Sequence, residues 1–281
     1  MMYHTSADGV PLHGREWPVT DASGTVLIVH GLGEHIGRYE AVAAQLNAWG
    51  WRVFGFDLRG HGRSGGARGG VPNAEAMLRD LALMIDAARG ASRGPLVLLG
   101  HSMGGLIAAR FVAEGLQTQP AAWWRDVDAL VLSSPALDPG ISRAQKLLLA
   151  VLGSLEPNLA VNNGLKPAWI SRDPTVVKAY IDDPLVHDRV TPALVRFIVD
   201  GGQFVRRAAP AWRVPTLLLY AGSDRCVAPA GSAAFAAAAR AGVVQAHEFA
   251  ALFHEIFNEP ERAEVFAKLQ TWLKARCTVL H

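Results

Sequence analysis

Leu99-Gly100-His101-Ser102-Met103-Gly104-Gly105 carries the strongest fold signal in this chain. It contains the pattern Gly-x-Ser-x-Gly, with an apolar run over residues 95–99 before it and a helix-like run over residues 106–113 after it. A strand, a one-residue turn and a helix in this order form a nucleophile elbow, in which a strained turn lifts the serine hydroxyl above the sheet. Side chains at positions 100 and 104 would clash with the strand and helix that meet there, so both are glycine. The alternative is a glycine-rich turn with an incidental serine, and the flanking strand and helix favour the elbow.

Length and composition predict one globular domain that carries one insertion. The chain has 281 residues, of which 50 % are hydrophobic and 19 % are charged, which fits a well-buried core and excludes disordered and fibrous classes. The formal net charge is +2 and no run of basic residues is present, so we expect no nucleic-acid partner. Cys226 and Cys277 form no metal-ligand or redox pattern, and their small number fits a reducing compartment.

The sequence gives no sign of a targeting or membrane-spanning segment. Residues 1–10 lack the basic start and apolar stretch of a secretory signal, and no window approaches about 20 consecutive apolar residues. We therefore expect a cytoplasmic protein, and peripheral membrane association stays open.

Apolar strands alternate with amphipathic helices along most of the chain. The Asp8-Gly9 pair between two short alternating runs predicts an N-terminal β-hairpin. Buried strands are predicted over residues 25–29, 52–56, 95–99, 129–132, 216–220 and 243–249. Helices are predicted over residues 39–49, 74–88, 106–113, 230–241 and 261–276. This alternation predicts an α/β fold whose central sheet is mostly parallel and covered by helices on both faces.

The alternation breaks between residues 138 and 210. This segment reads as helical patches with no convincing strand, separated by prolines that include Pro157, Pro167, Pro174, Pro184 and Pro192. A helical insertion between two sheet strands is a cap, and we expect it over the carboxyl ends of the strands, where ligands bind in open α/β sheets. We therefore divide the chain into a first core part (1–137), a helical cap (138–210) and a second core part (211–281).

Two side chains downstream of Ser102 have the right positions to activate it. A serine hydroxyl is a poor nucleophile near neutral pH, so it needs an adjacent base that a third group orients. After an elbow serine these partners follow in the order acid, then histidine. Asp224 directly follows an apolar strand, and His254 lies in the loop between the strand 243–249 and the last helix. We predict Ser102 as nucleophile, Asp224 as acid and His254 as base.

Other polar residues compete for the roles of acid and base. Structural roles are expected for the remaining candidate histidines, His30, His101, His187 and His247. Three acids flank the strand before the cap and are the alternatives to Asp224, namely Asp126, Asp128 and Asp138. The turn that contains Asp57, Arg59 and His61 is interpreted as structural, with charges that satisfy one another and backbone groups.

Acyl transfer also needs hydrogen-bond donors for the oxyanion that forms on attack. One donor is expected to be the backbone N–H of Met103, the residue after the nucleophile. The other is expected from the loop His30-Gly31-Leu32-Gly33, as the backbone N–H of Leu32, since the glycines let this loop turn its amides inward.

With these residues in place, the chain resembles the monoacylglycerol lipase family of α/β-hydrolases, which includes bacterial lysophospholipase-like enzymes and falls within the serine aminopeptidase-type group. The most discriminating motif is Gly33-Glu34-His35 followed by Arg38-Tyr39. Further similar segments are residues 57–64, 100–105, 169–174, 183–187, 222–224 and 253–259, so the resemblance spans nearly the whole chain. It implies the α/β-hydrolase fold, the same catalytic serine, acid and histidine, and the same two oxyanion donors.

The resemblance further implies activity on carboxylic esters, typically monoacylglycerols or related lipids, without a metal or cofactor. The expected partner is thus a small acyl ester, with substrate choice set largely by the cap. The uncharged cap stretch 147–155 is too short to span a bilayer, and it either contacts lipid, lines an acyl-chain tunnel or packs against the core. The same three residues also serve amide, peptide or thioester hydrolysis and acyl transfer, and a non-catalytic scaffold is the remaining alternative.

Overall fold

An eight-stranded sheet forms the centre of the protein in a computed structural model, which describes residues 2–91, 94–140 and 155–277. In chain order the strands are β1 (Met2–Thr5), β2 (Pro11–Trp17), β3 (Gly24–Val29), β4 (Trp51–Phe56), β5 (Leu96–His101), β6 (Ala129–Ser133), the separate pair β7 (Val161–Asn162) and β8 (Arg189–Val190), β9 (Thr216–Ala221) and β10 (Val244–Phe249). The spatial order of the sheet is β1-β2-β4-β3-β5-β6-β9-β10. The β1–β2 and β2–β4 pairs are antiparallel and the remaining pairs are parallel, which confirms the mostly parallel sheet and the N-terminal hairpin.

The α-helices within the described residues follow the predicted alternation with shifted ends. They are α1 (Glu40–Ala48), α2 (Ala76–Ala91), α3 (Met103–Glu114), α4 (Pro174–Asp182), α5 (Pro192–Ala208), α6 (Pro229–Ala238) and α7 (Arg262–Cys277). The helix predicted to reach residue 241 ends at Ala238, because the backbone of Ala239 is already extended with ψ of 155°. None of these helices is long and apolar enough to cross a bilayer, in the part of the chain that is described.

The sheet separates two hydrophobic cores, and β3 shows how the sequence builds both. Val26 and Ile28 point into one core while Leu27 and Val29 point into the other, because successive strand side chains alternate between the two faces. Helices α2 and α3 cover the Leu27 face, and α1 and α7 cover the Val26 face. The predicted apolar face of α2, formed by Met77, Leu81, Met84 and Ile85, lies fully inside its core. The α/β-hydrolase fold with helices on both faces is therefore confirmed.

The described part of the segment predicted as a cap contains one element that the sequence analysis did not predict. It contains the short antiparallel pair β7–β8, in which Val161 lies opposite Val190, where no strand was predicted. A two-residue strand carries no periodicity of its own, so the sequence holds no signal for it. Helix α5 packs against α3 and contributes Leu194 and Phe197 to the core on the Leu27 face. Of the stretch 147–155, residues 147–154 lie outside the described residues, and the side chain of Leu155 is exposed.

Candidate active site

Ser102 occupies the sharp corner between β5 and α3. Its φ of 54° and ψ of −120° lie in a region that non-glycine residues rarely adopt, as expected for a strained elbow. A Cβ atom on Gly104 would lie 2.1 Å from the carbonyl oxygen of Val29, and one on Gly100 would lie 2.5 Å from the carbonyl oxygen of Gly104. Only glycine at both positions lets α3 pack directly onto the sheet and hold the serine at the corner.

The elbow is fixed by backbone hydrogen bonds to the neighbouring strand. The amide of Ser102 donates to the carbonyl oxygen of Ser133 at 3.0 Å, and its carbonyl oxygen accepts from the amide of Ala136 at 2.9 Å. Met103 begins α3, so its N–H belongs to the positive end of the helix, which favours a nearby developing negative charge.

Asp224 and His254 form a short buried hydrogen bond. Asp224 follows the carboxyl end of β9, and its Oδ2 lies 2.7 Å from Nδ1 of His254. Its Oδ1 accepts from the amides of Cys226 at 2.8 Å and Val227 at 3.1 Å. Because both carboxylate oxygens are engaged and the two side chains are only 2 % and 7 % exposed, the imidazole has one fixed orientation.

The surroundings of His254 favour its protonated form. Burial lowers the pKa of this imidazole, but the attraction of the Asp224 carboxylate and its hydrogen bond outweigh burial, with further help from Glu255 and Glu34, so the pKa lies above the usual value of 6.5. The ring of His101 lies 4.7 Å from that of His254, and burial followed by this neighbour lowers the pKa of His101 to about 4. When the pair takes up one proton, that proton therefore binds to His254 rather than to His101.

Ser102, His254 and Leu32 line one small cavity of about 40 Å³. The cap segment contributes to its wall, mainly through apolar side chains and one phenol. These lining residues are Leu165, Lys166, Pro167, Ile170 and Tyr180. The predicted nucleophile, the predicted base and the loop of the predicted oxyanion donor thus come together beneath the cap segment.

The loop that carries Leu32 is held on both sides of that residue. Before it, the amide of Gly31 donates to Oε1 of Glu34 at 2.6 Å. After it, Gly33 has φ of 76°, and its carbonyl oxygen accepts from the amide of His187 in the cap segment at 2.8 Å. A Cβ atom on Gly33 would lie 2.4 Å from the carbonyl oxygen of His187, so the loop and cap segment touch through backbone atoms.

The competing histidines all have structural partners. His30 bridges backbone groups of Gly31 and Leu58 at 2.8 and 2.9 Å, and His101 Nδ1 lies 3.0 Å from the Ser133 hydroxyl. His187 reaches the carbonyl oxygen of Gly60 at 3.1 Å, and His247 lies on β10 as expected.

The alternative acids accept hydrogen bonds from nearby backbone amides. Asp128 accepts from the amide of Leu96, Asp126 from that of Val127 and Asp138 from that of Gly140.

The turn around Asp57 is structural, with one correction. Asp57 accepts from the amides of Ile36 and Arg63, both at 2.8 Å, and thereby ties two loops together. Arg59 does not pair with Asp57 as the expectation had it. Its guanidinium binds Asp80 and Asp8, because these carboxylates lie on α2 and in the N-terminal hairpin on the other side of the turn.

A buried chain of charges was missed by the sequence reasoning. Arg38 donates from Nη1 to Glu34 Oε2 at 2.7 Å and makes a two-pronged contact with Glu255, at 2.7 and 2.8 Å. We call Glu34, Arg38 and Glu255 the charge bridge. All three residues lie in two of the similar segments, Gly33–Tyr39 with the pattern Gly-Glu-His-x-x-Arg-Tyr and residues 253–259. The sequence therefore contained these residues but gave no indication that they meet.

A second buried carboxylate, that of Glu259, joins the cap segment to the loop 250–255 that carries His254, which we call the histidine loop. Glu259 has no exposed surface, and its Oε1 accepts from the Ser171 hydroxyl at 2.7 Å and the Arg172 amide at 2.6 Å. Its Oε2 accepts from the amide of Phe253, next to His254, at 3.1 Å. The segment 170–172 is therefore anchored to the loop that carries the predicted base.

Asp224, Cys226 and His254 are the one group of three potential metal ligands that lie close together among residues 2–91, 94–140 and 155–277. Their ligand atoms lie within 4.8 Å of one another. Asp224 and His254 already bind each other, and both Asp224 oxygens have partners, so this set fits an oriented acid–base pair better than an open metal site.

Comparisons with known proteins agree with the predicted family and fold. A family model described as serine aminopeptidase, S33, matches residues 20–261. A monoacylglycerol lipase of Mycolicibacterium smegmatis is 36 % identical over 260 residues, which cover 91 % of this chain and 90 % of that protein. The phospholipase YtpA of Bacillus subtilis is 31 % identical and covers 89 % of this chain and 95 % of its own length.

A solved structure extends the agreement to three dimensions. The crystal structure of the Paleococcus ferrophilus monoacylglycerol lipase superposes with a TM-score of 0.81 at 34 % sequence identity. The match covers 94 % of this chain and 99 % of that one.

Proposed function

The chain belongs to the hydrolase family described as serine aminopeptidase, S33, and we propose that it cleaves monoacylglycerols or related lipid esters through an acyl-enzyme on Ser102. Its similarity to monoacylglycerol lipases along nearly the whole chain identifies it as a carboxylic ester hydrolase. The observation that supports the proposed site most strongly is the buried 2.7 Å hydrogen bond between His254 and Asp224, beside the cavity that Ser102 lines.

In the proposed first half-reaction, His254 takes the proton of the Ser102 hydroxyl while Oγ bonds to the ester carbonyl carbon. The backbone N–H groups of Leu32 and Met103 stabilise the resulting oxyanion. The tetrahedral intermediate then expels the alcohol oxygen, which leaves with the proton from His254. Water attacks the acyl-enzyme with the same proton transfers, and the carboxylic acid is released as Ser102 regains its proton.

The charge distribution around His254 suits this sequence of proton transfers. The base must become an imidazolium as the oxyanion forms, and Asp224 stabilises that cation from 2.7 Å. The raised pKa of His254 makes it a stronger base for the serine proton, while its burial keeps competing water away.

We also propose that residues 138–210 act as the cap. The segment 165–187 supplies the cavity wall over Ser102, and α5 anchors the cap to the core through its contact with α3. The apolar wall from Leu165 and Ile170 suits an acyl chain, whereas the Tyr180 hydroxyl at the same cavity suits a polar alcohol. An ester of a fatty acid with a small polyol combines these two chemistries.

Replacing Ser102 with alanine tests the proposed nucleophile. We expect S102A to lower kcat for p-nitrophenyl butyrate by at least about 10³-fold, because the remaining groups cannot form an acyl-enzyme. The unfolding midpoint should stay close to that of the wild type, which a thermal melt followed by circular dichroism checks. A folded S102A protein that keeps a tenth or more of the wild-type turnover would disprove the mechanism.

Amide hydrolysis is the second candidate, since the family model carries the name of an aminopeptidase. Rates on a monoacylglycerol, an aminoacyl p-nitroanilide and an acyl thioester, all compared as kcat/KM, separate the two. We expect the monoacylglycerol to exceed the other two by about tenfold or more. A preference for the anilide would assign the site to amide chemistry instead.

A further inference from the structure

We propose that the charge bridge positions two loops for catalysis. It holds the loop 30–33, which we call the oxyanion loop, in a fixed position relative to the histidine loop. This inference rests on the proposed function, and it assigns roles to Glu34, Arg38 and Glu255 that go beyond it. None of the three is placed among the reacting groups. Each acts through a neighbour, either the loop 31–33 or His254.

Glu34 sets the shape of the oxyanion loop. Its Oε1 accepts from the amide of Gly31 at 2.6 Å and from the Tyr39 hydroxyl at 2.7 Å, and the residue is only 4 % exposed. A Cβ atom on Gly31 would lie 3.1 Å from the Cβ of Ser102, so the loop passes directly beside the elbow. Because the Gly31 amide is occupied by Glu34, the next amide along the chain, that of Leu32, is left to serve the substrate.

Glu255 plays the matching part on the histidine side. It directly follows His254, its amide donates to the carbonyl oxygen of Ile170 in the cap at 2.8 Å, and its Oε2 accepts from the Asn258 side chain at 2.9 Å. These contacts fix the backbone on which the His254 ring is mounted. The Glu255 side chain is 7 % exposed, so its position is set by protein atoms rather than by water.

Arg38 makes the two halves into one unit. Its Nη1 contacts both carboxylates at 2.7 Å, and Nη2 contacts Glu255 at 2.8 Å. A planar guanidinium can hold two carboxylates in a defined geometry, which an ammonium cannot. Loops that meet only through flexible side chains would drift relative to each other, and a misplacement of about 1 Å can cost about 100-fold in rate.

The bridge also carries charge. Two carboxylates and one guanidinium leave one net negative charge near His254. The other charged and titratable groups around His254 are Asp224, Cys226 and His101, with Lys166 and Tyr180 in the wall of the same cavity. Burial opposes ionisation of Glu34, but the attraction of Arg38, with the hydrogen bond from Tyr39, outweighs it and brings its pKa to about 2, so Glu34 stays charged at neutral pH. This negative charge adds to the stabilisation of the imidazolium in the transition state.

The test compares E34Q and E255Q with the matched control E114Q. Glu114 pairs with Arg110 at 2.7 Å and accepts from the Ala121 amide, so the control also loses a half-buried Arg–Glu pair and a charged acceptor, but away from the site. For each purified variant, kcat and KM on p-nitrophenyl butyrate are measured from pH 5 to 9, with the urea unfolding midpoint.

We expect E34Q and E255Q to lower kcat by roughly 10- to 100-fold with KM within about threefold of wild type, because geometry at the reacting atoms changes and binding does not. The acid limb of kcat/KM should move to lower pH in both, since loss of a nearby negative charge lowers the pKa of His254. E114Q should keep the wild-type kcat and acid limb.

Two further variants separate geometry from charge. R38K keeps the cation but cannot hold both carboxylates, so its kcat should fall like that of E34Q. The double variant E34Q/E255Q should lose little more than the worse single variant, because both act through one unit.

The inference is overturned if E34Q, E255Q and R38K all keep kcat within threefold of wild type. It is equally overturned if they lose activity only in proportion to unfolding, with an unmoved acid limb. A wild-type protein that cleaves no ester would instead refute the proposed function, so the two failures are distinct.

Discussion

The single hydrogen bond between Asp224 and His254 controls the tautomer of the proposed base. With Nδ1 held 2.7 Å from the carboxylate, the proton stays on Nδ1 and Nε2 is free to accept the serine proton. Asp224 itself is fixed by the amides of Cys226 and Val227, which leaves it no second orientation.

Exchanging Asp224 for asparagine tests this orientation without changing the size of the side chain. The amide can keep its acceptor for the Cys226 and Val227 N–H groups, but it offers His254 an NH₂ group and therefore favours the wrong tautomer. We expect kcat for an ester substrate to fall by roughly 10⁴-fold. The rate is measured at pH 8 on protein whose circular dichroism matches the wild type. A fall of less than tenfold would argue against Asp224 and leave Asp138 as the alternative acid, because Asp126 and Asp128 lie at the amino ends of β5 and β6, away from Ser102.

The position of helix α3 depends on the absence of a side chain at Gly104. Helix α3 begins so close to the end of β3 that Gly104 touches the carbonyl oxygens of Val29 and His30. The neighbouring atoms are backbone atoms of a central strand, and they cannot move aside cheaply. The helix start, the strand end and the serine are therefore one local unit.

The variant G104A should for this reason lose about 3 kcal/mol of unfolding free energy together with most of the esterase activity. Gly90 provides the control, because it lies in α2 with no atom within 4 Å of its would-be Cβ. G90A should instead gain about 0.5–1 kcal/mol, since alanine favours the helix. Urea unfolding curves measure both, and equal effects of the two substitutions would refute the packing argument.

The elements that the sequence predicted well are those whose residues face a core. The strands of the sheet are nearly continuous apolar runs, and the apolar residues of α2 repeat with helical spacing. Burial in a core therefore produces a periodicity that can be recognised in the sequence. The pair β7–β8 was missed because two residues show no pattern. The packing of α5 on α3 was not predicted either. The periodicity of a helix shows which of its faces is apolar, but it does not show which other helix that face contacts.

For the molecule as a whole, buried neutral histidines link stability to pH. Burial is the main cause that lowers the pKa of His30, His61 and His101, and His61 is well below its usual value. As the pH falls below about 6.5, these histidines become protonated in the unfolded chain but stay neutral in the folded protein. The free energy of unfolding therefore decreases. The pKa values of His187 and His247 are lowered as well, whereas the raised pKa of His254 acts in the opposite direction.

The urea unfolding midpoint should accordingly fall between pH 7.5 and pH 5. With a folded pKa of about 4, His101 alone accounts for roughly 2 kcal/mol of the loss. The variant H101Q should show a smaller drop than the wild type over the same interval. A midpoint that stays constant or rises on acidification would show that the folded protein accepts these protons after all.

The proposed catalytic residues could be selected from the sequence because chain order constrains them. An elbow serine, an acid after a later strand and a histidine before the last helix form a sequence pattern that few other residues satisfy. The charge bridge could not be found in this way, because Arg38 and Glu255 meet only through the arrangement of two loops and lie 217 positions apart. The same holds for Arg59, whose partners Asp8 and Asp80 become neighbours only when the hairpin folds over α2.

Glu259 has a consequence for anyone who wishes to exchange modules between relatives of this enzyme. Its carboxylate accepts hydrogen bonds from residues 171–172 of the proposed cap and from the amide of Phe253 in the core. The proposed cap and the stretch 253–259 are therefore held together by one buried side chain. A chimera whose breakpoints fall at 138 and 210 would separate these partners and bury an unmatched acid. Transplants should therefore carry residues 253–261 along with the graft.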